Sequence, residues 1–127
     1  MANTPSDLRY TKEHEWIRNN GYGTATVGIT DFAQGELGDI VFVDISSVGD
    51  HVNQDESFGT IEAVKTVSEL YMPVSGKIVE FNSELENDPE LVNNDPYGEG
   101  WLVKIEMSDP SQFNLLLDSG AYQNIIA

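Results

Sequence analysis

Short runs of apolar and β-branched residues recur along this chain, and glycine, asparagine, aspartate and proline separate them. Runs of this kind, bounded by turn residues, are typical of β-strands. Their density predicts a mainly β fold, built as a β-sandwich or a flattened barrel. The predicted strands are residues 15–18, 23–29, 40–45, 59–64, 67–74, 77–81 and 101–105.

The turn residues predict where these strands reverse direction. Asn19-Asn20-Gly21 follows the first strand and has the composition of a hairpin turn, and Gly49-Asp50 predicts another turn further along. Lys65-Thr66 falls between strands 59–64 and 67–74, so it is predicted to lie at the tip of their connection.

Lys65 is an unusual residue for that position in this chain. Only six residues are lysine or arginine, whereas twenty-two are aspartate or glutamate. A lone lysine on a hairpin tip has the geometry of a covalent attachment point. Hairpin tips also hold ordinary solvated lysines, and the spacing alone leaves both interpretations open.

Helices are predicted to be few and short. Thr30 and Asp31 can cap a helix that runs through Leu37 and stops at Gly38. Other helices are predicted from 83–86, from the Asp109-Pro110 pair and after Gly120 at the C-terminal end.

A four-residue pattern occurs twice, about forty residues apart. Residues 52–55 read Val-Asn-Gln-Asp and residues 92–95 read Val-Asn-Asn-Asp, and an aromatic residue and a glycine follow each copy. The pattern suggests a quasi-twofold pair of sheets with Lys65 in the turn that links the halves, although so short a match also arises by chance.

Length and charge narrow the classes of function. At 127 residues we expect one domain, residues 1–127, that buries a core without disulfides or metal. The formal net charge of −16 repels phosphate backbones and anionic lipid, so we expect neither nucleic acid nor a membrane as partner. The acidity otherwise favours partners with basic patches, or serves only solubility.

Several kinds of chemistry are not expected from the chain itself. It has no cysteine, and His14 and His51 lack the spacing of metal ligands, so we expect no metal site and no thiol nucleophile. No catalytic motif is present either, so any redox or acyl chemistry must come from an attached group. The N-terminal residues lack the pattern of a secretory signal, and we expect a cytoplasmic protein.

Several segments together resemble the H protein of the glycine cleavage system, a family of lipoyl carriers. The similarity extends from Tyr10 through Trp101 and into the predicted C-terminal helices. The family pattern usually has serine where this chain has Ala63. The segments that carry the resemblance are residues 13–16, 27–38, 59–65, 73–76 and 93–101.

The resemblance implies a lipoyl/biotinyl-type β-sandwich, a flattened barrel with short helices at its ends. It implies that Lys65 carries lipoic acid in amide linkage. It also implies a shuttle that takes the aminomethyl group of glycine from the decarboxylating glycine dehydrogenase to the aminomethyltransferase and then serves dihydrolipoamide dehydrogenase. A lipoate-attaching enzyme is a further implied partner, and we expect the carrier to be a monomer without catalytic residues.

The family also shelters its loaded arm in a surface cleft. The resemblance places Glu15, Glu69 and Glu13 at polar positions of that cleft, where a carboxylate can pair with the protonated amine of the arm. His14 is a further candidate, either as a proton carrier or as a residue that packs beside Trp16 or makes a structural hydrogen bond. Each glutamate is otherwise a plain surface charge.

Other carriers remain alternatives. An H-like lipoate-relay protein is hard to separate from the first interpretation by sequence. A lipoyl module of a 2-oxo acid dehydrogenase complex usually has aspartate before its lysine, and this chain has Val64. A biotin carrier is expected to have methionine on both sides, whereas the neighbours here are Val64 and Thr66. No nucleophile with an adjacent base supports a hydrolase.

Overall fold

The computed structural model of the protein describes residues 3–127. Within this range the strands form two antiparallel sheets, and the larger sheet has six strands in the order β1-β2-β3-β9-β8-β5. The predicted mainly β fold is confirmed. The strands of this sheet are β1 (Arg9–Tyr10), β2 (Glu15–Gly21), β3 (Thr24–Ile29), β5 (His51–Val52), β8 (Gly76–Phe81) and β9 (Val103–Met107).

The smaller sheet has three strands in the order β4-β6-β7. They are β4 (Ile40–Asp44), β6 (Ser57–Ala63) and β7 (Val67–Tyr71). Val43 and Ile61 of this sheet belong to the same buried apolar cluster as Val27 and Ile105 of the larger sheet. The two sheets therefore pack on a shared core, as in a β-sandwich.

The first helix, α1 (Asp31–Leu37), has the bounds that its sequence predicts. The Oγ1 of Thr30 accepts a hydrogen bond from the backbone amide of Ala33, and the helix ends at Gly38 with φ of 79°. A positive φ favours glycine, because a side chain there meets the backbone. Local capping chemistry thus fixes both ends of α1.

The other helices are also short. The expected helices near residue 83, after Asp109 and near Gly120 are present, whereas α3 was not predicted. The C-terminal helix begins before Gly120, because the side chain of Asp118 caps it by accepting from the amide of Ala121 at 2.8 Å. The helices are α2 (Glu84–Asn87), α3 (Leu91–Asn94), α4 (Ser111–Asn114) and α5 (Ser119–Ile126).

The first hairpin turn lies later than predicted. Strand β2 continues through Gly21, with an irregular register between Asn19 and Gly21, and the reversal falls at Tyr22 and Gly23. Both turn residues have positive φ, 55° and 78°. Two successive residues of this kind match the right-handed twist of a hairpin, so the chain turns here and not at the asparagines.

Two other predictions need correction. Strand β7 ends at Tyr71 and not at Val74; Pro73 follows, and proline has no amide to donate to a sheet. The short repeat is not a structural repeat. Val52 ends strand β5, whereas Val92 and the two asparagines after it lie in helix α3.

A second buried cluster joins the two ends of the described chain. The rings of Tyr10 and Tyr122 stack with centroids 4.7 Å apart, and Tyr10 also pairs with Leu117 through backbone hydrogen bonds. The ring of Trp16 lies against Gly28, where an added Cβ would be only 2.6 Å from it. The stacked tyrosines hold helix α5 against β1. No helix in residues 3–127 has the length and apolar character needed to cross a membrane.

Candidate functional site

Lys65 lies at an exposed and well-braced hairpin tip. Strands β6 and β7 pair as far as Glu62 and Val67, and the amide of Ala63 donates to the carbonyl of Thr66 at 2.7 Å. The amide of Val64 donates to the carbonyl of Asp39 at 3.0 Å, which ties the tip to the segment after α1. The predicted position of Lys65 in the turn is confirmed, and the turn presents it on a fixed support.

The side chain of Lys65 runs alongside the end of α1. A Cβ built on Gly38 would lie 3.6 Å from the Cε of Lys65 and 3.9 Å from its Nζ. Within residues 3–127, Lys65 forms no ion pair. The amine is thus exposed and close to the body of the protein, a position that leaves it open to acylation.

A cleft of about 130 Å³ opens beside this tip. It lies between α1, the turn before β2 and the facing strand β7. Apolar side chains form most of its wall, and carboxylates stand among them. Its lining residues are Glu13, His14, Glu15, Ile29, Ala33, Glu36, Leu37, Ile61, Ser68, Glu69 and Leu70.

Glu15 is the buried acid of the cleft, with only 2% of its surface exposed. The hydroxyl of Thr11 donates to its Oε1 at 2.7 Å, and the amide of Tyr71 donates to its Oε2 at 3.3 Å. Burial raises the pKa of Glu15 to about 8, although both hydrogen bonds act in the opposite direction. At neutral pH this carboxyl is therefore mostly protonated.

His14 has a structural hydrogen bond and a strained backbone. Its φ is 72°, and its Nδ1 lies 2.8 Å from the hydroxyl of Tyr122, which is itself 2.7 Å from Oγ1 of Thr30. Its ring packs against Phe32, with centroids 5.0 Å apart, and against Tyr122, but not against Trp16. Burial lowers the pKa of His14. The imidazole thus holds the turn that carries Glu13 and Glu15.

The two other predicted glutamates lie at the rim. Glu13 is exposed, and so is Glu69, whose Oε2 accepts a hydrogen bond from the hydroxyl of Ser57 at 2.6 Å. The structure therefore brings all four predicted cleft residues to one cavity, with Glu15 at its interior and the other acids at its entrance.

Some residues of the site were not predicted from the sequence. Glu36 shares a face of α1 with Ala33, three residues earlier, and this helical spacing was a usable signal. Ser68 and Thr11 gave no signal. Tyr122 could not be found, because it is 108 residues from His14 and only the packing of α5 joins them. In residues 3–127 no cluster of histidine and acidic side chains has the arrangement to hold a metal ion.

Comparisons with known proteins bear on this site. The family model described as "Glycine cleavage H-protein" matches residues 8–127. The chain is 58% identical to a glycine cleavage system H protein of Symbiobacterium thermophilum, over 96% of this chain and 94% of that one. Its identity to the H protein of Staphylococcus haemolyticus is 57%, over 96% of each chain.

The chain belongs to the glycine cleavage H-protein family. A solved structure agrees: the crystal structure of a glycine cleavage system H protein from Mycobacterium marinum has a TM-score of 0.84 and 40% identity, and the match covers 94% of this chain and 96% of that one. The resemblance noted from the sequence is thereby confirmed, as is the predicted fold class.

Family membership gives the function. The protein is a lipoyl carrier of the glycine cleavage system, and it works with enzymes of that system. H proteins carry lipoate by covalent attachment, and the braced, exposed amine of Lys65 fits such a bond. Ala63, which departs from the usual serine of the family, is buried opposite Ile40.

Proposed function

We propose that Lys65 carries the lipoyl group and that the adjoining cleft receives the arm when it bears an amine. The observation that supports this most directly is that Lys65 and the cleft contact neighbouring residues. The side chain of Lys65 lies against Gly38, and Leu37, the preceding residue, lines the cleft. An arm that begins at Lys65 starts at the entrance of a cavity that contains a buried acid.

The attachment step is an acyl transfer to the lysine. The neutral amine of Lys65 attacks the carbonyl carbon of an activated lipoyl group, which an attaching enzyme supplies. An amide bond forms, the bond to the leaving group breaks with its electron pair on that group, and the nitrogen releases a proton. Once attached, lipoate supplies the sulfur chemistry that a chain without cysteine lacks.

Glu15 is proposed to bind the amine end of the arm. In the empty cleft its carboxyl is mostly protonated at neutral pH, because burial raises its pKa to about 8. An ammonium group beside it favours the carboxylate, since an opposite charge lowers the pKa of an acid. Capture of the amine then releases a proton from Glu15, and the apolar walls limit the access of water. Glu69 and Glu13 add negative charge at the entrance.

The remaining expectations form part of the same proposal. The carrier takes the aminomethyl group of glycine from the decarboxylating glycine dehydrogenase to the aminomethyltransferase, and dihydrolipoamide dehydrogenase then reoxidises it. The chain acts as one lipoyl-carrier domain over residues 1–127, as a cytoplasmic monomer. It contributes no catalytic residue, and its part in the reaction is to present and shelter the arm.

Replacement of Lys65 by arginine tests the attachment. Lys65→Arg keeps the positive charge, but a guanidinium does not form the lipoyl amide. We expect no lipoyl adduct by intact mass and no glycine decarboxylation with the other components. Lys77→Arg, at an exposed position on β8, is the matched control and should be fully lipoylated. An adduct on the Lys65→Arg protein, located by peptide mapping, would contradict the assignment.

A further inference from the structure

An apolar surface surrounds the proposed attachment site. Four large apolar side chains near Lys65 are exposed: Val64 by 75%, Val67 by 60%, Phe42 by 53% and Val41 by 46%. We call these four residues the apolar collar. Large apolar groups left in water next to one another are typical of interaction sites, because single exposed residues are common but clusters are not.

The register of the small sheet places two collar residues, Phe42 and Val67, in one row on either side of Glu62. Phe42 lies opposite Glu62, and Glu62 lies opposite Val67, so the three form one row across the sheet. Residues that pair directly across antiparallel strands share a face. The neighbouring row of Val43, Ile61 and Ser68 belongs to the other face, where Val43 and Ile61 are buried.

The other two collar residues extend this row towards the tip. Val64 directly follows the last residue of β6 and lies in the turn next to Lys65, where its side chain is exposed. Val41 occupies the irregularity between Ile40 and Phe42, where the strand has one extra residue. Further from the tip the face becomes polar, since the next row is Asp44, Thr60 and Glu69. The exposed apolar surface is thus confined to the end of the sheet that holds Lys65.

The partner enzymes differ in how close to Lys65 they must come, and this difference indicates which of them contacts the collar. Enzymes that act on the dithiolane meet the far end of the arm, at a distance from the tip. The attaching enzyme acts before the arm exists, and it must bring its active site to Nζ of Lys65 itself. That atom lies close to the body of the protein, 3.9 Å from a Cβ built on Gly38. An enzyme that reaches it must cover the tip and the side chains around it.

The charges around the collar indicate which groups the partner's surface should present. Glu62 lies within the row, and Asp39 is exposed where its carbonyl braces Val64. The complementary surface therefore has apolar groups for the valines and Phe42, a basic group among them for Glu62, and a second basic group at its edge for Asp39.

We propose that the apolar collar is the docking surface for the enzyme that attaches the lipoyl group, and that it selects Lys65 over the other lysines. The inference rests on the proposed attachment at Lys65. Burial of apolar area provides the affinity, and the braced hairpin fixes the position of the amine relative to the buried valines.

The test measures attachment to the unlipoylated full-length chain by a purified lipoate-attaching ligase, supplied with lipoic acid and ATP. Two variants remove apolar surface: Val64→Thr combined with Val67→Thr, and Phe42→Thr. Threonine has the β-branched shape of valine and is itself favoured in strands, and all three replaced side chains are exposed, so we expect the fold to be preserved. For each variant we expect the KM for the carrier to rise about tenfold with kcat within about twofold, as for loss of apolar contacts at an interface.

Two controls make the result specific. Val79→Thr alters a valine of β8 that is 40% exposed and outside the collar, and its KM should stay within about twofold of wild type. The collar variants, lipoylated by prolonged incubation, should be turned over by dihydrolipoamide dehydrogenase at the wild-type rate. This second measurement also shows that the variants are folded.

Two results would overturn the collar proposal while leaving the attachment site intact. One is an unchanged KM in both variants, with the wild-type adduct mapped to Lys65. The other is an equal rise in KM with dihydrolipoamide dehydrogenase, which would make the collar a general contact surface. A wild-type adduct mapped to another lysine would instead overturn the proposed attachment at Lys65, and the collar proposal with it.

Discussion

Two hairpins of this protein have exposed tips, and only one has the surroundings of an attachment site. The β2–β3 tip holds Tyr22, which is fully exposed, and Cβ atoms added at Gly21 or Gly23 would meet nothing within 4 Å. The β6–β7 tip holds Lys65, accepts support from Asp39 and adjoins the cleft. Exposure is common to both tips. Bracing, an apolar collar and an adjacent buried acid distinguish the second.

A lysine moved from the β6–β7 tip to the β2–β3 tip should no longer be an attachment site. In a Lys65→Arg background, Tyr22→Lys places an amine on the equally exposed β2–β3 tip. We expect no lipoylation of this protein, because the new lysine has neither a braced turn nor the collar around it. Intact mass after incubation with the attaching ligase checks the result, with Tyr22→Lys in the wild-type background as the control for folding. A lipoyl adduct on the relocated lysine would mean that exposure alone is sufficient.

The buried acid beside the second hairpin should make stability depend on pH. Burial raises the pKa of Glu15 to about 8, so the folded chain holds a proton that the unfolded chain releases above its ordinary value near 4.5. The stability contributed by the neutral Glu15 carboxyl is therefore fully present below pH 4.5, and it is lost as the pH rises from 4.5 to 8, by roughly 3 to 5 kcal/mol.

Urea unfolding of the unlipoylated chain at pH 5 and pH 8 measures this effect. Glu15→Gln keeps the shape and an acceptor for Tyr71 but does not ionise, so it should gain stability relative to wild type as the pH rises. His14 contributes with the opposite sign in both proteins, because its pKa is lowered, and the difference between them cancels it. Glu13→Gln, at an exposed position, should follow wild type. Parallel curves for wild type and Glu15→Gln would show that Glu15 is ionised throughout.

Replacing a glycine beside each hairpin by alanine gives a matched pair of variants with smaller expected effects. Gly38 and Gly21 both have positive φ, 79° and 88°, so alanine at either position costs about 1–2 kcal/mol of stability. Only Gly38 lies under Lys65 and at the start of the segment that braces the tip. We expect Gly38→Ala to slow attachment by a few-fold and Gly21→Ala to leave it unchanged. Urea unfolding and ligase kinetics check the two parts, and an equal loss of rate in both variants would contradict the role of the brace.

Loss of the amine from the loaded arm should quicken when Glu15 is removed. Glu15→Ala eliminates the proposed partner of the ammonium group, and we expect release of formaldehyde and ammonia from the loaded carrier to rise about tenfold. Turnover of the oxidised carrier by dihydrolipoamide dehydrogenase, where no amine is present, should change little. Glu13→Ala serves as the rim control. Equal release from wild type and Glu15→Ala would leave this acid without a sheltering role.

The acidic net charge of the chain should have the smallest effect. A net charge of −16 favours encounters with basic active-site mouths, and screening acts over about 8 Å at physiological salt. The KM of the carrier for the aminomethyltransferase should therefore rise by a few-fold between low and physiological salt, while kcat changes less. An uncharged substrate analogue controls for direct effects of salt on the enzyme. A flat or falling KM would assign the charge to solubility alone.

The sequence predicted those parts of the fold that local chemistry determines. Helix α1 was predicted with its observed bounds, because the Thr30 cap and the positive φ of Gly38 are both local signals. The lysine tip was predicted for the same reason. The first turn was misplaced, because Asn19 and Asn20 have turn composition but the strand register carries the chain past them to Tyr22. The structural repeat predicted from residues 52–55 and 92–95 was wrong. A four-residue match does not determine secondary structure, because the surrounding chain decides whether the segment ends a strand or forms a helix.

Local sequence patterns could not predict the cleft, because contacts between distant residues form it. Glu15 and Glu69 were proposed through resemblance to a family, and spacing alone would not have joined residues on two different sheets. The link from His14 to Tyr122 spans almost the whole described chain and follows from the packing of α5 on β1. The raised pKa of Glu15 likewise comes from burial, which only the assembled fold provides.

The hydrogen bond from the Tyr71 amide to Glu15 also covers one position of an open edge. Strand β7 ends the order of the small sheet, and an edge strand with free amides is a template for pairing with a further strand from another molecule. A carboxyl group from the opposite sheet occupies one such amide, at the point where β7 finishes. While Glu15 accepts from it, this amide cannot pair with a strand of another molecule, so the side chain that is proposed to hold the arm also covers the last amide of β7.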